Sequence, residues 1–430
     1  MAALLVFGVF ILLIVIGVPI GTSLGTAAIG AILNYDLGMS MISRNFEANI
    51  AKFPLVAIPF FILAGVLMDK SKIVDGIANF LILLTGKRRG GLAIAAVVAC
   101  IFWGAVSGSG PATAAALGLV FITPMIKQGY NKYFAATTIA AGAGLSIIIP
   151  PSISFIVYGQ LTGVSVGALF LGGIIPGVLV GIFLIGVVYI ISRKNNYRGS
   201  EETGSGKQIL KAFVNSLWAL FAPVIILGSI YLGIATPTEA AIMGVFYALF
   251  VGIFVYHTLK IDVIFQALVD TVVSSAVVMF VVAMAGVFSW AAATLGVIDA
   301  AANLISSLTT NQLVFMFLTM IVMLIAGMFL DAISITNVFM PMIMPALLAL
   351  HIDPLYFGVC LTVSLAIGQI TPPVAVNLYV TANLIHSNIN NEMVKFVIPM
   401  VIGSVIALIM IVLIPDLSLA IPVLSKLYIP

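Results

Sequence analysis

The sequence predicts an all-α polytopic membrane protein with inverted repeats, two re-entrant helical hairpins and broken helices. The first observation is composition: 63% of the 430 residues are hydrophobic and only 7% are charged, whereas soluble domains carry about a quarter charged residues. The second is that stretches such as 90–126 and 133–192 contain no Asp, Glu, Lys or Arg, and about 20 apolar residues suffice for one crossing. The third is a series of Gly and Pro landmarks that occurs twice in the same order.

The first membrane half is predicted to cover residues 1–192. Its opening apolar segment continues to the first charge at Asp36. That segment is too long for a signal peptide and lacks the basic start that one needs, so we expect a retained span. Further on, GAVSGSGPAT begins at Gly104 and interrupts an apolar run that is too short to cross twice as full helices. This predicts a re-entrant hairpin near 92–126, because non-helical backbone at membrane depth persists only where protein or a water-filled cavity surrounds it.

A broken helix is predicted near 133–160, after the first hairpin. The small-residue stretch AGAG at 141–144 is followed there by the double proline Pro150-Pro151. Each proline lacks a backbone donor and clashes with the preceding turn, so a spanning helix is interrupted at this point.

A polar segment at 193–211 separates the two halves, and its Gly, Ser and charged residues are typical of a flexible loop. We assign this loop to the cytoplasm, because Lys and Arg favour the cytoplasmic side of short loops. The N-terminus is then predicted on the opposite side, outside the cytoplasm, and the first hairpin enters from the cytoplasm. The basic clusters behind this assignment are Arg44 and Lys52, Lys87 to Arg89, Lys127 and Lys132, Arg193 to Lys211, and Lys260.

The second half, residues 212–430, repeats the landmarks of the first. GMFLDAISIT begins at Gly327 and predicts a hairpin near 312–350, and Pro372-Pro373 predicts a broken helix near 355–386. The opening glycine precedes the double proline by 46 residues in the first half and by 45 in the second. Broken helices at matching positions of two repeats are typical of transporter binding sites near the middle of the membrane.

Asp331 is the main charged candidate in the second hairpin, since no other charge lies between Asp299 and Asp353. A buried carboxylate inside a membrane is costly and by default marks a functional site. It lies beside Ser334 and Thr336, and such oxygen-rich, partly unwound backbone suits Na⁺. The alternative is that Asp331 only caps a helix, because Asp is a favoured N-cap residue.

The tip of the first hairpin, Ser107 to Gly110, is predicted to bind an anion. Ser109 and Gly110 would lie at the N-terminus of the returning half-helix, and Ser152 and Ser154 at the start of another. Helix N-termini present free N–H groups and partial positive charge to anions. No Lys or Arg lies in the core of either repeat, so an anionic substrate must depend on these dipoles, hydroxyl groups and co-bound cations.

No cofactor and no enzymatic activity are predicted. Cys100, Cys360 and the three histidines have no metal-ligand spacing, and the lone Asp331 supplies neither a nucleophile nor an acid–base pair. We also expect no nucleic-acid partner.

GAVSGSGPATAAALG, the double proline after AGAG, IATPTEAA and GMFLDAISI together resemble the large membrane subunit of TRAP transporters, the tripartite ATP-independent periplasmic transporters. The resemblance extends over essentially the whole chain. It implies an elevator-type fold, with a scaffold domain and a moving transport domain that contains both hairpins. It also implies Na⁺-driven uptake of an organic acid across the bacterial inner membrane. The chain is most similar to the sialic acid members, so N-acetylneuraminate is the expected substrate, and a C4-dicarboxylate or another carboxylate is the alternative.

The same resemblance implies two protein partners. One is a small four-helix membrane subunit, which we expect to be a separate chain, and the other is a soluble periplasmic binding protein that delivers the substrate. Membrane lipid surrounds the complex. Two other interpretations stay open, a stand-alone Na⁺/anion symporter with similar inverted repeats and a channel.

The resemblance also implies particular site residues. The first tip and the Gly142–Pro150 stretch would hold one Na⁺, the Asp331 tip and the Gly368–Pro372 stretch another, and Ser109 and Ser154 would face the substrate carboxylate. The candidate Na⁺-site residues are Ser107, Gly108, Gly142, Gly144, Pro150, Asp331, Ser334, Thr336, Gly368, Thr371 and Pro372. The candidate substrate-binding residues are Ser109, Gly110, Ser152, Ser154 and Asp331.

Overall fold

The computed structural model describes residues 2–85, 88–197 and 205–429, and these residues form helices and no strands. Short 3₁₀ turns at Phe53–Val56 and Gly144–Ile147 and a π-helical turn at Val251–Val255 adjoin the α-helices. The α-helices are α1 (Ala2–Val15), α2 (Ile20–Asn34), α3 (Ser40–Ile50), α4 (Ala57–Lys70), α5 (Ile73–Thr85), α6 (Gly91–Ser107), α7 (Gly110–Lys127), α8 (Lys132–Ala143), α9 (Ile153–Thr162), α10 (Val166–Lys194), α11 (Gly206–Tyr231), α12 (Pro237–Phe250), α13 (Ile261–Thr294), α14 (Val297–Leu308), α15 (Gln312–Gly327), α16 (Ala332–Ala349), α17 (Pro354–Gly368), α18 (Val376–Leu384), α19 (Asn391–Leu413) and α20 (Asp416–Leu424).

Eight helical segments in the described part of the chain are long and apolar enough to cross a membrane. They include the long helices α10, α11, α13 and α19. The prediction of an all-α polytopic membrane protein is therefore confirmed. The returning hairpin arms α7 and α16, at 18 residues each, also meet this length, so the re-entrant path of the hairpins stays a prediction that rests on the repeat pattern.

The connection between α10 and α11 is shorter than the loop that composition predicts at 193–211. Helix α10 continues to Lys194 and α11 begins at Gly206, where Ser205 and Gln208 form a capping box. The expected loop at 193–211 is therefore partly helical at both ends, because capping and intrahelical hydrogen bonds satisfy its backbone. Lys87 and residues 198–204, which contribute to the predicted basic clusters, lie outside the described residues.

Helix pairs and helix breaks lie in the regions where the landmarks predict them. In the first repeat, only Gly108 and Ser109 separate α6 from α7, and α8 and α9 flank a break at 144–152. In the second, residues 328–331 separate α15 from α16, and α17 and α18 flank a break at 369–375. The Pro150–Pro151 and Pro372–Pro373 peptide bonds are both cis.

The two repeats interlock through reciprocal contacts. Helix α9, which follows the first break, packs against α16, the returning arm of the second hairpin. Helix α18, which follows the second break, packs against α7, the returning arm of the first. Both hairpin tips and both breaks are thereby brought to one region of the molecule.

The remaining helices pack around this centre. Helix α4 contacts α12 and α13, and α5 contacts α11. Helices α1 and α2 form a separate apolar cluster with the second half of α13, which includes Phe10, Leu24 and Phe288. At the start of α12, the side chains of Thr236 and Glu239 each accept the other residue's backbone N–H, so they form a capping box that stabilises the helix start.

Tyr158 links the two repeats directly. Its side chain is fully buried, and its hydroxyl donates to the carbonyl oxygen of Pro354 at 2.6 Å. We expect Tyr158→Phe to lower stability by about 0.5–1.5 kcal/mol, because the hydrogen bond that joins the two repeats is lost. Thermal unfolding in detergent measures the effect, and Tyr189→Phe, at a side chain that is 45% exposed, is the control. Equal melting temperatures for both variants would show that this bond does not stabilise the fold.

Candidate functional site

The tip of the first hairpin lies directly against the first break. Gly108 has a φ of 61°, a left-handed conformation that residues with a side chain rarely adopt. A Cβ at Gly108 would lie 2.7 Å from the carbonyl oxygen of Pro151, and a Cβ at Gly104 would lie 2.8 Å from the Cα of Ser146. The tip and the break can approach this closely only because both positions lack a side chain.

The second hairpin makes the matching contact with the second break. A Cβ at Gly327 would lie 3.1 Å from the Cα of Gly368. The Met328 carbonyl accepts the N–H groups of Val374 and Ala375 at 3.2 and 3.1 Å. Each tip thus contacts the break of its own repeat, which is the pairing that the predicted Na⁺ sites require. Ion binding at these places stays a prediction.

Asp331 caps α16. Its Oδ1 accepts the N–H groups of Ile333 and Ser334, both at 3.0 Å, and its Oδ2 accepts the Ser334 hydroxyl. The alternative capping role is therefore present in the structure. An ionised carboxylate has about four lone-pair positions, so this cap leaves one for a cation. Asp331 is only partly buried, because it faces a cavity.

Helix α7 has no such cap at its N-terminus. Ser109 occupies the N-cap position, but its side chain accepts no hydrogen bond from the helix. Pro111 has no N–H, and the N–H groups of Gly110 and Ala112 have no intrahelical acceptor in the first turn. The helix therefore presents free donors and partial positive charge at the hairpin tip, an arrangement that favours anions.

Hydroxyl groups among the predicted site residues bond the local backbone. Ser152, Thr336 and Thr371 donate to carbonyl oxygens four or five residues earlier, at 2.6, 2.7 and 2.7 Å. Ser107 donates to the Ser109 carbonyl at 3.3 Å. These bonds shape the breaks and tips, and lone pairs remain on the hydroxyl oxygens.

The predicted glycines of the first break have packing roles. A Cβ at Gly142 would lie 2.7 Å from Sγ of Cys100 in α6, and one at Gly144 would lie 3.2 Å from the carbonyl oxygen of Ala366 in α17. Gly142 therefore permits close contact between α8 and α6. Gly144 joins the first break to the helix that leads into the second break.

A cavity of about 670 Å³ lies between the hairpin tips and the surrounding helices. That volume is in the range of small-molecule binding sites, about 300–1,000 Å³. Its walls come from α4, α7, α13 and the start of α9. The first tip, Ser154 and Asp331 line the cavity, whereas Ser152 is fully buried and is not among the lining residues. Substrate binding by these residues stays a prediction.

The charges around this cavity are all negative. Asp69, Asp75 and Asp331 are among its lining residues, and no described Lys, Arg or His is. Lys70, next to Asp69, instead pairs with Asp270 of α13 at 2.8 Å. The electrostatic field of the cavity therefore favours cations, except near the α7 N-terminus.

Three polar residues near the tip of the first hairpin were not predicted from the sequence, and one of them, Gln369, lines the cavity. Gln369, Asn377 and Thr113 are buried near the tip of the first hairpin, and each has a side-chain atom without a hydrogen-bond partner. The sequence does contain a signal for Gln369 and Asn377, because their amide side chains lie on either side of a double proline in an apolar stretch.

Paired hairpins and broken helices around one cavity define a polytopic membrane transport protein. The chain belongs to the family of the DctM component of the tripartite ATP-independent periplasmic transporters, whose family model matches residues 7–417. The resemblance predicted from the sequence motifs is therefore confirmed.

Relatives with different named substrates are similar to this chain. The isethionate TRAP transporter permease DctMQ of Oleidesulfovibrio alaskensis is 38% identical over 92% of the chain, which spans 62% of that relative's length. The C4-dicarboxylate large permease DctM of Vibrio cholerae is 35% identical over 99% of the chain and 98% of the relative. The sialic acid large permease SiaM of Vibrio cholerae is 33% identical over 94% of the chain and 95% of the relative. Sequence identity to these three relatives does not favour sialic acid as the substrate.

Solved structures of distant proteins share the fold. The YdaH transporter of Alcanivorax borkumensis superposes with a TM-score of 0.62 at 14% identity, over 99% of this chain and 98% of that one. MtrF of Neisseria gonorrhoeae superposes with a TM-score of 0.60 at 15% identity, over 89% of this chain and 85% of that one.

Proposed function

We propose that the chain is the large permease subunit for Na⁺-coupled secondary uptake of an organic acid anion across a bacterial inner membrane. One observation carries the proposal: three carboxylates and no described basic side chain line a cavity that also contains the uncapped N-terminus of α7. An anion can bind at the helix N-terminus, but the surrounding carboxylates oppose it. Co-bound cations would offset that repulsion, which makes anion binding depend on Na⁺.

The two tip–break contacts are the proposed ion sites. In the first, Gly108, next to Ser107, contacts the 144–152 break, and in the second, Met328, three residues before Asp331, accepts hydrogen bonds from the 369–375 break. Unwound backbone and half-helix ends supply the oxygen ligands that Na⁺ prefers in transporters with broken helices. Ser109, Gly110 and Ser154 would then hold the substrate's acidic group.

N-acetylneuraminate is the proposed substrate on the basis of the overall resemblance to the sialic acid members, and isethionate and C4-dicarboxylates are alternatives that the named relatives support. The proposed partners are a small four-helix membrane subunit and a periplasmic binding protein, since the family name describes a three-part system. In the proposed elevator mechanism, the hairpins and breaks move together against the outer helices, with the N-terminus in the periplasm.

The proposal is tested by uptake into proteoliposomes that contain this chain with both partner proteins. We expect uptake to require an inward Na⁺ gradient and to increase with an inside-negative potential. Each net charge that crosses 100 mV gains about 2.3 kcal/mol, so two Na⁺ ions with one monoanion make transport sensitive to voltage. Labelled N-acetylneuraminate, succinate and isethionate are compared under identical gradients.

Full uptake in Na⁺-free buffer with only a proton gradient would contradict Na⁺ coupling. Proteoliposomes with this chain alone are the second comparison, and we expect them to be inactive. Robust uptake by the chain alone would favour the stand-alone symporter instead.

A further inference from the structure

Buried polar atoms without hydrogen-bond partners cluster beside the N-terminus of α7. They are Oε1 of Gln369, Oδ1 and Nδ2 of Asn377, and Oγ1 of Thr113. Gln369 is 4% exposed, and Asn377 and Thr113 are fully buried. Buried polar groups in folded proteins almost always have a partner, so a set of unpaired ones indicates a ligand or an ordered solvent molecule.

The two amide side chains face Gly110, the first residue of α7. A Cβ at Gly110 would lie 2.7 Å from both Oε1 of Gln369 and Oδ1 of Asn377, and 2.9 Å from Nδ2 of Asn377. The backbone N–H of Asn377 also donates to the Gln369 carbonyl at 3.1 Å, which holds the two residues together. Amide groups from the second repeat are therefore aimed at the uncapped helix start of the first repeat.

The surroundings favour an anionic ligand over a cation. Amide oxygens can coordinate Na⁺, but the α7 N-terminus carries partial positive charge and opposes a cation at this place. Rotation about its last side-chain bond lets an amide present N–H groups in place of oxygen. Gln369 and Asn377 can thus supply neutral donors beside the free N–H groups of α7.

We propose that Gln369 is a specificity-determining residue whose Nε2 donates to the acidic group of the substrate at the α7 N-terminus. Asn377 is then a positioning residue: with substrate bound, its Nδ2 would donate to Oε1 of Gln369 and hold Nε2 toward the cavity, and this Nδ2 and Oε1 are both unpaired in this structure. The division of roles follows from access: Gln369 lines the cavity, whereas Asn377 is fully buried behind it. This inference rests on the proposed anion transport and names a donor for it.

The segment that carries Gln369 also carries a proposed ion site. Gln369 directly follows Gly368, and its amide is held in a break that the second hairpin contacts. Na⁺ bound at that site would set the orientation of the Gln369 amide. Binding of Na⁺ at the second repeat would thereby favour binding of the substrate at the α7 N-terminus of the first repeat.

Gln369→Glu tests the contact, because it keeps the size and places a negative charge beside the substrate's acidic group. We expect the KM for uptake to increase by about tenfold or more, measured with whichever of N-acetylneuraminate, succinate and isethionate the wild-type complex transports. Gln369→Met, which removes the donor and adds no charge, should raise KM by a smaller factor. Gln312→Glu is the matched control, since Gln312 is exposed at the start of α15 and does not line the cavity.

Asn377→Leu tests the positioning role. It should raise KM with a small change in kcat. In a double-mutant cycle, the variant that carries both Gln369→Met and Asn377→Leu should have a KM close to that of Gln369→Met alone. Additive effects of the two substitutions would overturn the positioning role.

An unchanged KM for a correctly assembled Gln369→Glu complex would overturn the proposed contact. If that variant is not recovered as a monodisperse complex, an unchanged KM for Gln369→Met overturns it instead. These outcomes are separate from a failure of Na⁺ coupling, which appears as Na⁺-independent uptake by the wild-type complex.

Discussion

Asp331→Asn is expected to raise the Na⁺ concentration for half-maximal uptake by about tenfold or more, with a matching loss of rate at low Na⁺. The asparagine keeps the size, and its oxygen can still accept the N–H groups of Ile333 and Ser334 that now bond Oδ1 at 3.0 Å. It removes the negative charge that would stabilise a cation at the second tip. Because Asn and Asp cap helices about equally well, expression and assembly should be preserved.

The measurement is the Na⁺ dependence of uptake in matched proteoliposomes with saturating partner proteins. Asp353→Asn is a suitable control, because Asp353 also caps a helix, accepting the Tyr356 N–H at 2.9 Å, but does not line the cavity. We expect that control to leave the Na⁺ dependence unchanged. If Asp331→Asn changes neither the Na⁺ concentration for half-maximal uptake nor the rate, Asp331 has only a structural role. The ligands of Na⁺ would then be backbone and hydroxyl oxygens alone.

Gly368→Ala is expected to abolish most uptake and to lower the melting temperature. A Cβ at this position would lie 2.6 Å from the Cα of Gly327 and 2.8 Å from the carbonyl oxygen of Leu324. Both are backbone atoms, so the second hairpin and the second break must move apart. Overpacking of this kind costs about 1–3 kcal/mol even where side chains can adjust, and here it also separates the two parts of a proposed ion site.

A graded series makes this experiment specific. Gly327→Ala should have a smaller effect, because its Cβ would lie 3.1 Å from the nearest backbone atom. Gly186→Ala in α10 is the control, since no atom lies within 4 Å of its Cβ position and alanine favours a helix interior by about 1 kcal/mol over glycine. Uptake and thermal unfolding are measured for all three. Similar results for Gly368→Ala and Gly186→Ala would show that the close contact is not required.

Helix breaks were predictable from the sequence because their causes are local. A double proline removes two backbone donors wherever the chain packs, and an apolar chain with few charges must enter a membrane. The landmarks at Gly104 and Gly327, and the prolines at Pro150 and Pro372, therefore predict interruptions at places where helices end in the structure. The re-entrant path of the hairpins stays a prediction. The loop at 193–211 was too long because composition does not show how far capping extends a helix.

Contacts between the repeats were not predictable in the same way. Nothing local to Gln369 or Asn377 indicates that their amides face Gly110, more than 250 residues earlier in the chain. Likewise, the roles of Gly142 and Gly368 depend on which helix lies opposite each of them.

The sequence by itself determined the membrane class and the family, and it predicted two repeats with hairpins and breaks, because hydropathy, proline chemistry and motif spacing are properties of short segments. Only the tertiary structure decided which tip meets which break, that Ser152 is buried while Ser154 lines the cavity, and that Asp331 caps α16 while Ser109 leaves α7 uncapped. The physical reason is that the cavity is made of surfaces from α4, α7, α9 and α13. Its charge and its unpaired donors exist only when packing places these distant segments side by side.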